Sequence, residues 1–342
     1  MTDEPLLSVR DLRASFPTDA GVVKAVDGVS FEIRRGEVLA LVGESGSGKS
    51  VTAMSIVGLV PEPGHVTSGA VLWKGRDLLR SSARELRAVR GAGIGVIFQD
   101  PMSALNPVHT VGRQIAEAVL IHRRGSRRQA LDRAIEVMAT VGIPQPRQRA
   151  GSYPYEFSGG MRQRIMIAMA LANEPELLIA DEPTTALDVT IQAQVVSVLH
   201  EIRERTGAAI LLITHDLGLV AGMADHVAVM YAGRVVERGA AVDVFGRARH
   251  PYTLGLLASL PRVDGARGER LRPIAGAPPS LVSLPGGCSF HPRCPFASLP
   301  GPCASAEPLL VAVDGAPDDA VHGAACHFAS EVAAAGFGGT DR

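Results

Sequence analysis

A glycine-rich octapeptide that directly follows an apolar run constrains this chain more than any other sequence feature. The run EVLALV at 37–42 is continuous, as in strands that are buried on both faces of a parallel sheet. The octapeptide GESGSGKS at 43–50 fits the pattern G-x-x-x-x-G-K-[ST], and a helical stretch over about 50–59 comes next. Strand, glycine loop and helix in this order predict a loop whose backbone N–H groups turn toward phosphate groups.

The residue types of this glycine loop suit the binding of a nucleotide with magnesium. We expect Lys49 to place its positive charge on the phosphates and the hydroxyl of Ser50 to ligate Mg²⁺. The alternative is a glycine-rich turn that binds nothing, which the flanking strand and helix disfavour. The predicted nucleotide contacts in the loop are Gly43, Glu44, Ser45, Gly46, Ser47, Gly48, Lys49, Ser50 and Val51.

A second apolar run, LLIADE at 177–182, ends in two carboxylates. We expect Asp181 to lie beside Ser50 and to hold Mg²⁺, directly or through water. Glu182, one residue further on, is expected to orient and polarise the attacking water. Acidic residues at strand ends are also common as simply solvated positions. The glycine loop upstream favours the catalytic interpretation.

Composition describes a globular chain of roughly two domains. The chain has 342 residues, of which 46% are hydrophobic, and 34 Lys and Arg against 35 Asp and Glu give a net charge of -1. This balance argues against bulk binding to nucleic acid or anionic lipid. No apolar run reaches the roughly 18 residues of a membrane span, and no signal segment follows the N-terminus. We therefore expect a soluble, cytoplasmic protein that contacts membranes through a partner.

Helix and strand patterns alternate along much of the chain, which predicts an α/β fold with parallel strands. A helical, Arg-rich insertion separates the early strands from the later alternation. After about residue 247 Pro and Gly become dense, which predicts a loop-rich tail. The predicted strands are 6–16, 22–33, 37–42, 177–181, 209–214 and 227–231, and the predicted helices are 50–59, 110–123, 127–141, 160–172 and 190–205.

The octapeptide FSGGMRQR at 157–164 opens the helix that precedes the acidic strand. It resembles the signature loop of ATP-binding-cassette (ABC) ATPases, with Phe and Met in place of the commoner Leu and Gln at its ends. In that family two ATPase domains face head to tail, and the signature of one completes the phosphate site of the other. The resemblance implies that Ser158, Gly159 and Gly160 contact a γ-phosphate across that interface. The alternative is a Ser that only caps its helix.

Four further segments match the same family. Gln99 resembles the Q-loop glutamine, which reaches the Mg²⁺ and the water and senses the membrane partner. Residues 186–188, ALD, resemble the D-loop along the dimer interface, and Asp188 is its acidic member. His215 resembles the switch histidine that contacts the γ-phosphate, and Phe16 resembles the aromatic residue that stacks on adenine. For the last two, a satisfied strand-end His and a core Phe are the alternatives.

Three stretches narrow the resemblance to the dipeptide and oligopeptide importer ATPases: FQDPMSALNP at 98–107, EFSGGMRQR at 156–164, and HPYT at 250–253. The resemblance covers about 5–328. It implies a P-loop NTPase cassette over 1–245, with a RecA-like parallel sheet core, an antiparallel β subdomain and a helical signature subdomain over about 100–172. It also implies a small, loop-rich C-terminal extension with four Cys over 246–342.

The resemblance also implies an activity. An ATPase of this family powers the import of di- and oligopeptides. Its catalytic residues would be Glu182, His215 and Gln99, and its Mg²⁺ ligands would be Ser50, Gln99 and Asp181. The alternatives are an importer ATPase for nickel or another small solute and a non-transport ABC ATPase, which the lack of a heptad run and of a second cassette disfavours.

The partners implied by the resemblance lie in and around a membrane. They are two transmembrane permease subunits, a second ABC ATPase subunit that is a related chain or another copy, and an extracytoplasmic solute-binding protein. Nucleic acid is not among them. The chain would be peripheral on the cytoplasmic face of the inner membrane.

All Cys residues lie in the tail, as Cys288, Cys294, Cys303 and Cys326, separated by 5, 8 and 22 residues. Disulfides are disfavoured in the cytoplasm, and the spacing lacks the C-x-x-C pairs of zinc ribbons. From the chemistry alone, an Fe–S cluster, a Cys₄ zinc site and four unconnected thiols stay open. The importer ATPases have a Cys-containing region of this form, which in some members binds a four-iron cluster. The resemblance thus implies a [4Fe–4S] cluster. Arg293, next to Cys294 in sequence, is expected to stabilise its negative charge.

Overall fold

The computed structural model describes residues 4–123, 125–185, 188–260, 273–313 and 322–335. Its strands are β1 (Leu7–Thr18), β2 (Gly21–Ile33), β3 (Val38–Val42), β4 (His65–Trp73), β5 (Arg76–Asp77), β6 (Ile94–Ile97), β7 (Leu177–Asp181), β8 (Ala209–Thr214), β9 (His226–Tyr231), β10 (Arg234–Ala240), β11 (Val311–Ala312) and β12 (Gly323–Ala324). Its α-helices are α1 (Lys49–Ile56), α2 (Ala83–Val89), α3 (Pro101–Ala104), α4 (Val111–His122), α5 (Arg127–Thr140), α6 (Pro146–Arg149), α7 (Gly159–Leu171), α8 (Val189–Thr206), α9 (Leu217–Met223), α10 (Ala241–Gly246), α11 (Pro251–Ala258), α12 (Pro302–Ser305) and α13 (Ala329–Ala335). Single 3₁₀ turns lie at Leu78–Arg80, Pro154–Glu156 and His291–Arg293.

The predicted elements agree with the observed ones where the apolar pattern is strong. The strands predicted at 177–181 and 209–214 coincide with β7 and β8. The helices predicted at 127–141 and 160–172 match α5 and α7 to within one residue at each end. The expected α/β alternation with parallel strands is confirmed.

Two element ends differ from the prediction. The first strand continues through Pro17 to Thr18, so the turn before β2 is shorter than the Pro/Gly cluster suggested. The Thr18 hydroxyl holds this turn by donating to the carbonyl oxygen of Gly21 at 2.7 Å. The helix predicted over 50–59 ends at Ile56, because Gly58 adopts a left-handed φ of 62° just after it.

One compact unit of the chain, here called the helical unit, comprises residues 4–6, 33–37 and 77–213. Its strands β6, β7 and β8 are parallel, with Ile94 opposite Leu177 and Leu177 opposite Ala209. Every residue of β7 and β8 is buried, which explains why both strands are apolar without alternation. The helices α4, α5 and α7 of the same unit pack against one another.

The second compact unit, here called the cysteine unit, comprises the described residues within 7–32, 38–76 and 214–335. It contains an antiparallel sheet in which β1 lies between β2 and β4. It also contains β3, which is parallel to β9, while β10 is antiparallel to β9. The short strand β12 extends β10, and β11 pairs with β12 in turn. Two-residue strands carry no sequence pattern, so this addition from the tail was not predicted.

Aromatic rings from distant parts of the sequence form much of the core of the cysteine unit. The ring centroids of Tyr231, Tyr252 and Phe290 lie 4.6, 5.2 and 5.5 Å apart, and all three residues are buried. Around them the tail is rich in loops, as predicted; over 273–310 its regular structure is one 3₁₀ turn and α12. The boundary near residue 245 stays a prediction. Within the described residues, no helix has both the length and the apolar character that crossing a bilayer requires.

Candidate functional site

The glycine loop at 43–50 lies in the cysteine unit between the buried strand β3 and helix α1. Gly43 and Gly48 have φ angles of 156° and 103°, which residues with side chains rarely adopt. A Cβ atom on Gly43 would lie 2.2 Å from the backbone oxygen of Met230, and one on Gly48 would lie 2.1 Å from that of Ala25. Close backbone packing therefore requires glycine at both positions.

The Lys49 ammonium group closes the glycine loop on itself. Lys49 is buried, and its Nζ donates to the carbonyl oxygens of Gly43 at 2.8 Å and Glu44 at 3.0 Å. The hydroxyl of Ser47 is buried without a hydrogen-bond partner among the described residues. Ser50 lies in the first turn of α1, at the positive end of the helix dipole. A buried cation, an unsatisfied hydroxyl and a helix start together fit a loop that receives an anion.

Glu182 organises the predicted catalytic residues of the helical unit. It follows β7 with a φ of 46°, and its N–H donates to the Ile213 carbonyl oxygen at 2.8 Å. Its Oε2 accepts hydrogen bonds from Gln99 Nε2 at 3.0 Å and from Thr185 Oγ1 at 2.8 Å. Asp181, just before it, is buried. The structure thus brings Gln99 to Glu182 and adds Thr185, which the sequence analysis missed; an acidic residue with Thr three positions later is a turn signal that could have found it.

The predicted signature segment begins helix α7. Ser158 is the N-cap residue, and its hydroxyl accepts from the Met161 N–H at 3.4 Å. Gly159 is exposed, and a Cβ atom there would meet nothing within 4 Å. Gly160 is buried, and a Cβ atom there would lie 2.5 Å from the side chain of Ile191. The capping role of Ser158 satisfies one backbone donor and leaves the other N–H groups of this exposed helix start without an intrahelical partner.

Asp188 belongs to the segment that resembles the D-loop. Its side chain caps α8 by accepting from the Ile191 N–H at 3.0 Å. Ile191 is also the residue that packs on Gly160, so the signature segment and Asp188 are neighbours within the helical unit. Ala186 and Leu187, the other two positions of this segment, lie outside the described residues.

Phe16 and His215, the other predicted nucleotide contacts, both reach solvent. Phe16 is half-buried in β1, and a Cβ atom on Gly64 would lie 2.2 Å from its ring. His215 follows β8 and is exposed. Solvent access is what a ring that stacks on a ligand and an imidazole that contacts one require. The remaining predicted contacts are exposed or half-buried: Ser45, Gly46 and Val51.

The four Cys side chains converge on one small cavity of the cysteine unit. Cys303 is buried, Cys288, Cys294 and Cys326 are half-buried, and all four line this cavity. The backbone holds two of them together, because the Cys288 N–H donates to the Cys303 carbonyl oxygen at 2.9 Å. All four are free thiols. The family resemblance implied that these four positions meet, and the tertiary fold brings them to one cavity.

Phenylalanine and histidine side chains line the thiol cavity beside the Cys residues, among them His250, His291 and His327. Phe290, Phe296 and Phe328 line it beside the thiols. Burial raises the pKa of Cys294 to about 12 and that of Cys326 to about 11, which favours the neutral thiols. Within the described ranges, no group of three or more His, Cys, Asp or Glu side chains is arranged to hold a metal ion. The four thiols thus converge, but they are not arranged as ligands of a single metal ion.

Arg293 was expected to lie beside a cluster and to stabilise its charge. The structure instead places its guanidinium on the glycine loop, where it makes two hydrogen bonds to the carboxylate of Glu44 at 2.7 and 3.0 Å. The carboxylate is the stronger attractor because both partners are charged and the two planar groups match. A second contact to Glu44 comes from Tyr252, whose hydroxyl accepts from the Glu44 N–H at 2.7 Å.

Comparison with known proteins identifies the family. The family described as "ABC transporter" matches residues 26–185, and "Oligopeptide/dipeptide transporter, C-terminal region" matches 236–300. The dipeptide transport ATP-binding protein DppD of Bacillus subtilis is 55% identical over 293 residues, which are 85% of this chain and 87% of that protein. The chain belongs to the ATP-binding proteins of peptide ABC transporters. The sequence resemblance stated above is confirmed.

Two further matches bear on the extent and fold of this ABC protein. The oligopeptide transport ATP-binding protein OppD of Mycobacterium tuberculosis is 54% identical over 94% of this chain, which spans 52% of that relative, about half its length. A post-hydrolysis dimer of an ATP-binding cassette bound to ADP and Pi superposes with a TM-score of 0.62 at 26% identity, over 69% of this chain and 98% of the other. The predicted cassette fold is confirmed.

Proposed function

We propose that this chain hydrolyses ATP to power the import of di- and oligopeptides through a membrane ABC transporter. The observation that carries the proposal is the Glu182 carboxylate, which Gln99 and Thr185 hold at the end of a buried strand. A carboxylate held in this way is suited to accept a proton from a water molecule that attacks a phosphate. The names of the most similar relatives support peptides as the solute class.

The glycine loop is proposed to hold the nucleotide. Backbone N–H groups of 43–50 would surround the β- and γ-phosphates, with the Lys49 charge at the centre. Ser50, Asp181 and the amide oxygen of Gln99 are the proposed Mg²⁺ donors, and oxygen ligands of these kinds suit this hard cation. When bound, Mg²⁺ neutralises negative charge on the phosphates. Phe16 is proposed to stack on the adenine ring.

In the proposed hydrolysis, Glu182 accepts a proton from water while the water oxygen bonds to the γ-phosphorus and the bond from that phosphorus to the ADP oxygen breaks. Lys49 and His215 meet the negative charge that develops on the γ-phosphate oxygens. A second ATPase chain completes the site with its own signature and D-loop residues, the counterparts of Ser158, Gly159, Gly160 and Asp188.

The proposed partners are two transmembrane permeases, a second ABC ATPase subunit and an extracytoplasmic solute-binding protein. In this assembly the chain is peripheral on the cytoplasmic face of the inner membrane. The family membership supports these partners, because an ATP-binding protein of a transporter acts on membrane subunits.

Reconstitution tests the transport proposal. The chain is co-expressed with its candidate permeases, second ATPase and binding protein, purified, and placed in vesicles with ATP on the cytoplasmic side. Uptake of a labelled tripeptide and of ⁶³Ni²⁺ is measured in parallel. We expect ATP-dependent peptide uptake that is abolished in the Glu182→Gln complex and retained with Glu201→Gln, a change at an exposed helix position. Nickel uptake without peptide uptake, or hydrolysis without any uptake, contradicts the proposal.

We further propose that the thiol cavity holds a [4Fe–4S] cluster. Four thiols converge on this cavity, which three histidines and no carboxylate also line, and four Cys are the donor set of such clusters. Bound iron favours the thiolates over the neutral thiols. The ligands would be Cys288, Cys294, Cys303 and Cys326. A loop-rich tail with little regular secondary structure is also a segment that metal binding helps to fold.

Elemental analysis tests the cluster. Protein purified without oxygen should be brown and contain about four iron and four sulfide per chain. Cys294→Ser should lower both contents. Equimolar zinc without sulfide, or a colourless metal-free protein that still binds nucleotide, contradicts the cluster.

A further inference from the structure

Arg293 joins the cysteine-rich tail to the glycine loop through a two-pronged ion pair. Its Nη1 donates to Glu44 Oε2 at 2.7 Å and its Nη2 donates to Glu44 Oε1 at 3.0 Å. The Arg293 side chain is 4% exposed and that of Glu44 is 28% exposed, so water screens this pair less than an ordinary surface pair. Parallel charge-assisted hydrogen bonds of this kind fix orientation as well as distance.

Tyr252 fixes the backbone of the same loop residue. The Glu44 N–H donates to the Tyr252 hydroxyl at 2.7 Å, and Tyr252 is fully buried with its ring 4.6 Å from that of Tyr231. Burial raises the pKa of Tyr252 well above its usual range, so the hydroxyl stays protonated. Both the main chain and the side chain of Glu44 are therefore held by residues that follow the matched cassette.

The position of Arg293 depends on the short 3₁₀ turn that precedes Cys294. Arg293 ends the 3₁₀ turn at His291–Arg293 and is followed directly by Cys294. Its Nε donates to the Ala275 carbonyl oxygen at 3.0 Å. Its guanidinium lies 5.8 Å from the ring centroid of Tyr231 and 5.9 Å from that of Phe290, a residue that also lines the thiol cavity. The thiol cavity and the guanidinium thus share one short, rigid segment.

Glu44 transmits this restraint to the lysine of the loop. Lys49 Nζ donates to the carbonyl oxygens of Gly43 and Glu44, the residue that Arg293 and Tyr252 hold. A shift of Glu44 therefore moves two of the acceptors that fix the ammonium group. Small displacements of a charged group at a phosphate site have large effects on binding, since the group must already be in place when the phosphate arrives.

We infer that Arg293 is a positioning residue for the glycine loop, acting through Glu44, and that the tail contributes to nucleotide affinity through it. The inference rests on the proposed role of the glycine loop in nucleotide binding. It assigns Arg293 no contact with the nucleotide. It differs from a merely structural ion pair, which would change the stability of the tail and leave nucleotide affinity unchanged.

A double-mutant cycle on the full chain tests the inference. Binding of a fluorescent ATP analogue with Mg²⁺, and KM and kcat for ATP, are measured for the unsubstituted chain, Arg293→Gln, Glu44→Gln and the double variant. We expect each single variant to raise Kd and KM by about tenfold, with kcat changed less, because one charged hydrogen-bonded pair is lost. The double variant should be no weaker than either single one, because both remove the same interaction. Arg293→Lys should recover part of the affinity.

Two controls separate the possible failures. Arg247→Gln removes an exposed ion pair with Asp243 in the same unit and should leave Kd unchanged. Because Glu44 lies outside the tail, the Glu44→Gln variant should hold as much iron as the unsubstituted chain while its Kd for the ATP analogue rises. Unchanged Kd in both single variants, or fully additive effects in the double variant, overturns the positioning role of Arg293. An unsubstituted chain that binds no ATP overturns the proposed function instead.

Discussion

Two glutamates, one in each unit, are held in opposite environments: Glu174 lies at the surface of the helical unit and Glu237 in the interior of the cysteine unit. Glu174 of the helical unit pairs with Arg123 at 3.1 Å and Arg133 at 3.0 Å, with 56% of its side chain exposed. Glu237 of the cysteine unit is fully buried and accepts hydrogen bonds from two backbone N–H groups and from His322 Nε2 at 2.7 Å. The same residue type thus meets opposite environments in the two units.

The difference shows how a loop-rich tail is fixed to a cassette. Exposed pairs contribute little to stability because water and salt screen them. Buried charged groups cost much more to leave unpaired, so they define where their partners must lie. Glu237 and Glu44 are both bonded by side chains of the tail, His322 and Arg293. These polar contacts therefore add to the apolar packing of tail residues such as Phe290 in fixing the tail.

The largest expected effect tests whether the chemistry depends on the helical unit. In Glu182→Gln the side chain keeps its size and can still accept from Gln99 and Thr185, but it no longer takes up a proton. We expect ATP turnover to fall by about 10²- to 10⁴-fold, the range for loss of a general base, with nucleotide binding retained. Steady-state phosphate release and equilibrium binding measure the two quantities.

Glu201→Gln is the matched control for this change, because Glu201 lies on helix α8 of the same unit in an exposed pair with Arg205. Its turnover should equal that of the unsubstituted chain. Turnover in Glu182→Gln that stays within about threefold of that value would show that another group removes the proton.

Glycine substitutions in the loop give the next largest effect and probe the cysteine unit. A Cβ atom on Gly48 would lie 2.1 Å from a backbone oxygen, whereas one on Gly46 would meet nothing within 4 Å, and both residues have left-handed φ angles. Gly46→Ala should therefore bear only the conformational cost of about 1 kcal/mol, roughly fivefold in nucleotide affinity. Gly48→Ala should lose binding by more than about 100-fold, since backbone must move. Equal effects of the two changes would refute close backbone packing as the reason for Gly48.

Site residues that lie together within one short motif could be predicted from the sequence. The glycine loop and the acidic strand end were predicted because each is a contiguous segment whose neighbours in sequence are its neighbours in space. The resemblance placed Gln99 and the Glu182 carboxylate near the same water, but no local pattern predicts that two residues 83 positions apart form a hydrogen bond. The ion pair of Glu44 with Arg293, 249 positions apart, was missed because isolated charged residues have no periodicity that points to a partner.

Removing the charge of one carboxylate in each unit tests whether burial sets its contribution to stability. Glu237→Gln leaves buried donors with a poorer acceptor, and we expect a loss of about 3 kcal/mol in the free energy of unfolding. Glu174→Gln should cost less than about 1 kcal/mol, because the side chain is largely exposed. Denaturant unfolding of both variants, monitored by far-ultraviolet circular dichroism, measures the difference in their free energies of unfolding. Equal losses would mean that burial does not distinguish the two carboxylates.

The smallest effect concerns pH. The hydrogen bond from Arg123, and then the charges of Arg133 and Arg123, lower the pKa of Glu174 against the opposing effect of desolvation. A carboxyl whose pKa is lower in the folded state binds fewer protons there than in the unfolded state. Its contribution to stability is therefore complete above the unfolded pKa, about 4.3, and is lost as the pH falls through the folded pKa.

The unfolding free energies of the unsubstituted chain and Glu174→Gln should accordingly differ at about pH 7 and converge as the pH falls below the folded pKa of Glu174. The difference should also shrink in about 1 M salt, because exposed charges are screened there. Arg205→Gln, which removes an exposed pair with Glu201 in the same unit, controls for general effects of acid on surface charge. A gap between the two proteins that widens toward low pH would have the wrong sign for a carboxyl stabilised by arginine, and would leave packing of the glutamate stem as the source of its contribution.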